Sequence, residues 1–155
     1  MPRMRIPWLV RGVVAGAAGT AVMTLAYEAE RRVRGERTAL DYDDSLVPGE
    51  IVAGVLHWRN LSPKEDAQLG MLLRLGYGSA FGIWHVALRA VMPEPWAALA
   101  FGTTLMTATF TAFPVLGRTP PPWEWPPDVL LTALGTHAVY ATTVAAVDDT
   151  LRGSR

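Results

Sequence analysis

GVVAGAAGTAVMTLAYEA, residues 12 to 29, sets three glycines at tight spacing at the head of an apolar run. Two readings compete: a loop that cradles phosphate, or a helix that packs its backbone against another helix in lipid. A Walker A loop needs a lysine and a Ser or Thr after its last glycine. A Rossmann fingerprint needs a preceding strand and an acidic residue about 20 positions on. Neither is present. Gly12, Gly16 and Gly19 instead fall at i, i+4 and i+7, one face of a helix, the small-xxx-small device by which membrane helices approach closely. Gly78 and Gly82 repeat the spacing later in the chain. Packing within one chain is the expected use of these five glycines, ahead of a dedicated oligomer seam.

The surrounding composition agrees. Half of the 155 residues are apolar and 18% are charged, rich in the first and poor in the second for a soluble domain. Trp96 to Gly117 holds no charged residue over 22 positions. As a helix it reaches roughly 33 Å, against a hydrocarbon core of about 30 Å. Val129 to Val147 has His137 as its one group that titrates near neutral pH and is followed at once by Asp148 and Asp149, as a span ending at an interface would be. Gly12 to Tyr27 is uncharged, and Arg11 before it can extend outward to the headgroups. The stretch from 67 to 91 is the least apolar, carrying Arg74, His85 and Arg89. Its start is marked by Ser62-Pro63-Lys64-Glu65, a capping box with proline at the first helical position.

These signals predict an all-α, integral membrane four-helix bundle, one domain over 1–155, with spans near 6–28, 67–91, 96–117 and 128–147. The polar connection 29–66 is expected to carry a short amphipathic helix, with Ile51, Val55 and Trp58 on one face. Alternating spans place Trp8, Trp84 and Trp96 at one interface and Trp58, Trp123 and Trp125 at the other, as indoles prefer. A soluble all-α fold is the rival. A cleaved signal peptide is disfavoured because no clear small-x-small site precedes Glu28. RTPPPWEWPP is too proline-rich for helix or central strand and reads as an interfacial staple rather than a peptide ligand. Six basic residues on the side of the termini against seven on the other leave orientation open.

Function classes narrow by exclusion. With no cysteine there is no thiolate metal site and no thiol nucleophile. Fourteen bases balance fourteen acids with no dense basic cluster, which argues against nucleic acid. DYDDS lacks the glycine and the bidentate glutamate of a calcium loop, since Leu46 and Val52 stand there. His85 and His137 differ in height by roughly 13 Å in the bundle, too far for one haem iron, so each is expected to bond across helices and no cofactor is expected. No serine, histidine and carboxylate arrangement supports nucleophilic catalysis, so an enzyme is not expected.

The candidate intramembrane polar residues are therefore Arg74, His85, His137 and the stripe Thr103, Thr107, Thr111 at i, i+4 and i+8. Arg74 has Glu124 and Asp128 on its side as structural partners. The threonines suit helix packing or, less readily, a polar path. The expected function is that of a non-catalytic accessory or scaffold subunit of a membrane assembly. The alternative is a small oligomeric carrier or pore for protons or a small solute. Its partners would be the lipid bilayer and either further copies or another membrane subunit.

The order of features, RGVVAGAAGTAVM, then LGYGSAFG, then PVLGRTPPPWEW and a last span with HAVY, resembles the YagU-like small inner-membrane proteins of bacteria. The resemblance implies a multi-pass protein of the cytoplasmic membrane with no established reaction.

Overall fold

The computed structural model describes residues 6–34, 52, 54, 62–117 and 120–153. Four helices make up the described fold: α1 Trp8–Arg34, α2 Pro63–Val91, α3 Trp96–Gly117 and α4 Pro127–Arg152. No strand occurs among the described residues. The all-α class is as read from the sequence. Most of the expected amphipathic helix, with Ile51, Val55 and Trp58, lies outside the described residues.

Local chemistry sets the helix ends. At α2 the Ser62 hydroxyl accepts from the Glu65 amide at 3.4 Å, while the Ser62 amide donates back to Glu65 Oε2 at 2.8 Å. Glu65 lies below the usual carboxylate range because the Ser62 side chain, then its backbone, donates to the ionised form. The helix stops at Val91, and Met92 is extended ahead of Pro93. α4 begins with proline in its first turn and ends at Gly153, whose φ of 84° belongs to the left-handed region glycine tolerates. α3 continues through Pro114.

Contacts between helices fix an up-down-up-down arrangement in which α1 packs along both α2 and α4, and α3 is held more lightly by α4 and α2. At the α1–α2 crossing backbone meets backbone. A Cβ built on Gly82 would fall on the Gly12 carbonyl and 2.6 Å from Gly16 Cα, and one on Gly12 would stand 2.6 Å from Ile83 Cα. Gly16 and Gly78 face one another in the same way. Gly19 departs from this face: a Cβ there would lie 2.7 Å from Val144 and 2.9 Å from the Tyr140 ring of α4. α1 has a neighbour on each side, α2 and α4. Ala15, Phe101, Leu105, Tyr140, Ala141 and Val144 form the core, with the Phe101 and Tyr140 rings 5.8 Å apart.

The proline-rich connection differs from its expected form. Pro122–Glu124 is a single 3-10 turn, closed by Glu124 N–H to the Pro121 carbonyl and Trp125 N–H to the Pro122 carbonyl. The prolines sit where a first turn has no use for their missing N–H groups. Trp125, expected in the headgroups, is instead buried. Its indole donates to the Pro120 carbonyl at 2.7 Å and its ring meets Phe110 edge-on. Trp123 alone of the pair points outward.

Candidate functional site

The N-terminal turn of α1, the C-terminal turns of α2 and α4 and the turn before α3 converge at one end of the bundle. There the antiparallel order brings together residues as distant in sequence as Arg11 and Asp148. Asp148 is wholly buried at the centre. Arg11 Nε approaches its Oδ1 at 3.0 Å, Arg152 Nη2 its Oδ2 at 3.7 Å and Arg89 Nε the same oxygen at 3.9 Å. Arg89 Nη2 donates to Asp149 Oδ1 at 2.8 Å. A buried carboxylate is tolerable only with such compensation, because its desolvation alone costs several kcal/mol or more.

His85, also wholly buried, stands beside this group. Its Nε2 lies 2.9 Å from Glu94 Oε1 and its Nδ1 4.0 Å from Asp148 Oδ2. With Glu94 ionised, Nε2 is the donor, since a carboxylate only accepts. Glu94 is itself held by the Ala98 amide, which donates to Oε2 at 3.0 Å, so the first turn of α3 fixes the carboxylate that faces the imidazole. The Phe101 ring packs edge-on against the imidazole at 5.3 Å. Three arginines and three carboxylates balance here, and a proton on His85 would have a carboxylate near each ring nitrogen. Among the described residues no three His, Asp or Glu side chains are disposed to share a metal ion.

The other candidates lie elsewhere. His137 is buried between α3 and α4. Its Nδ1 meets the Ala133 carbonyl at 2.7 Å and must donate, which leaves Nε2 to accept from the Thr109 hydroxyl at 3.0 Å. The two histidines therefore have separate partners. Arg74 is half-exposed on α2. Thr103, Thr107 and Thr111 face outward, and each hydroxyl donates to the carbonyl four residues back, at 2.6 to 2.9 Å. They line no interior path of a single chain. The glycines stand at helix crossings, as described above.

Sequence reasoning set Arg11 near the headgroups and Asp148 and Asp149 at the end of a span but missed that they meet each other, Arg89 and Arg152, and missed Glu94 and Thr109 altogether. A signal was present in VMPEPW, residues 91 to 96, where a carboxylate between two prolines stands in a four-residue turn joining two apolar helices. Among the described residues two helices, Trp8–Val33 and Pro127–Arg152, are long and apolar enough to cross a membrane. No family model, curated protein or solved structure matches the chain.

Proposed function

We propose that this protein is a four-span protein of a bacterial cytoplasmic membrane, related to the YagU-like proteins, and serves there as a non-catalytic accessory or scaffold subunit. The outward stripe of α3 carries the reading. Leu99, Thr103, Thr107, Thr111 and Val115 recur every fourth residue on the exposed side of the most lightly held helix. The three hydroxyls are spent on their own helix, so the stripe offers methyl groups and small side chains, the surface on which membrane helices pack. Lipid exposure has further support. Only 28% and 39% of the apolar stretches of α1 and α4 are buried inside the chain, where a core helix of a soluble protein would be mostly covered. The uncharged α3 is long enough to be a further span.

Native mass spectrometry of protein extracted gently from its host's membranes tests the assignment. A second polypeptide in fixed stoichiometry that is lost in Thr107→Trp, with the helices intact by circular dichroism, is the expected result. A protein that remains a monomer removes the accessory role. The same stripe favours one other reading, an oligomeric pore in which the threonines turn toward a central axis. Homo-oligomers without a second polypeptide, together with proteoliposome flux that Thr107→Trp blocks, would select it.

A further inference from the structure

A groove of about 560 Å³ opens beside the charged cluster, and its polar wall is made of Arg11, Arg89 and Arg152 with no carboxylate in the lining. Trp8, Val86 and Ala90 supply its apolar part. Asp148 lies behind the three guanidiniums, touching each at 3.0 to 3.9 Å; Arg89 is also met by Glu94 at 3.6 Å and Asp149 at 2.8 Å, which leaves Arg11 and Arg152 to share Asp148. Asp149 lines a separate groove, on the other side of Arg89. A guanidinium presents five N–H donors, so Arg11 and Arg152 together exceed what Asp148 can accept. The geometry points to this groove as a seat for an anionic phospholipid, its phosphate on the arginines and its glycerol and first methylenes along Trp8 and Val86.

Charge and position argue for that occupant. The groove pairs a positive wall with an apolar one, the two halves of a headgroup and its acyl root. It lies where α1 begins and α4 ends, the two helices apolar enough to cross a membrane, and Trp8, half-exposed at that level, is the side chain that settles at an interface. Zwitterionic lipids carry the same phosphate but bring their own cation, which the arginine wall repels. The inference rests on the membrane reading and does not depend on the accessory role.

The full chain in detergent is titrated with phosphatidylglycerol and with phosphatidylcholine and the bound states are read by native mass spectrometry. Wild type should prefer phosphatidylglycerol by about tenfold, which is about 1.4 kcal/mol, because phosphatidylcholine brings its own cation to the arginines. Arg152→Gln, at the most exposed of the three arginines, should remove most of that preference and Arg152→Lys should keep part of it. Arg31→Gln, exposed at the far end of α1, should leave it unchanged. Equal binding of the two lipids by wild type overturns the site. An equal loss in Arg31→Gln also overturns it, in favour of general attraction between charges. Displacement of phosphatidylglycerol by millimolar inorganic phosphate makes it a free-anion site instead. Alkaline washing of membranes separates the two readings: a chain that stays with the membrane but lacks the preference loses the lipid site alone, and a chain released by the wash loses both.

Discussion

The two buried histidines stand in regions built on opposite rules. Around His137, between α3 and α4, the partners are the Thr109 hydroxyl and the Ala133 carbonyl, and nearby the Tyr140 hydroxyl donates to the Gly78 carbonyl at 2.6 Å. Around His85, at the end of the bundle, the partners are ions. Neutral hydrogen bonds can be closed locally at modest cost, whereas buried ions hold only while every charge has its opposite. The middle is therefore robust to the loss of a single partner and the end is not.

The largest test of that contrast is Asp148→Asn. It removes the carboxylate shared by Arg11, Arg89 and Arg152 while keeping its shape. Loss of one member of a buried ion pair costs about 3–5 kcal/mol, read as a fall in unfolding free energy in detergent. A change below about 1 kcal/mol, the range of exposed ion pairs, would mean that water already screens the cluster.

Gly82→Val comes next and probes the middle by packing. Its branched side chain would meet the backbone of Gly12 and Gly16, which no rotamer relieves, so the upper part of the usual range of about 1–3 kcal/mol for overpacking is expected. The same measurement checks it, with cross-linking between cysteines introduced into α1 and α2 to detect separation of the helices.

Thr109→Val should cost about 1 kcal/mol, the lower end for a buried acceptor left without its donor, because His137 keeps its bond to Ala133. A loss as large as that of Asp148→Asn would erase the distinction between the regions.

The smallest effect is a pH dependence at the solvated start of α2, far from both. Glu65 is held below its ordinary value of 4.5 by the Ser62 donors. Its contribution is complete above that value and is lost as pH falls through the lower folded-state value. Nuclear magnetic resonance titration of the Ser62 and Glu65 amides should show the cap releasing below 4.5. A midpoint at or above 4.5 would contradict the cap.

What was legible in the sequence follows from range. Ser62 and Glu65, three residues apart, announced the start of α2 because a capping box is complete within one turn. The glycine spacing foretold that backbones would approach. It could not say that Gly12 and Gly16 meet α2 while Gly19 meets α4, because the direction of each face depends on where the other helices lie. The proline-rich connection misled for a related reason: Trp125 turns inward because Phe110 offers it a ring.

The sequence by itself determined the helices, their approximate ends and the general disposition of charge toward those ends, since hydrogen bonding within a helix and the avoidance of charge in apolar runs act over a few residues. Only the tertiary structure decided that Arg11 would meet Asp148, that Glu94 would face His85 and that Thr109 would donate to His137. Those pairings depend on the rotation and height of each helix. Both are fixed by the close approach of α1 and α2 through their glycines and by the packing of Phe101 against Tyr140 across the core.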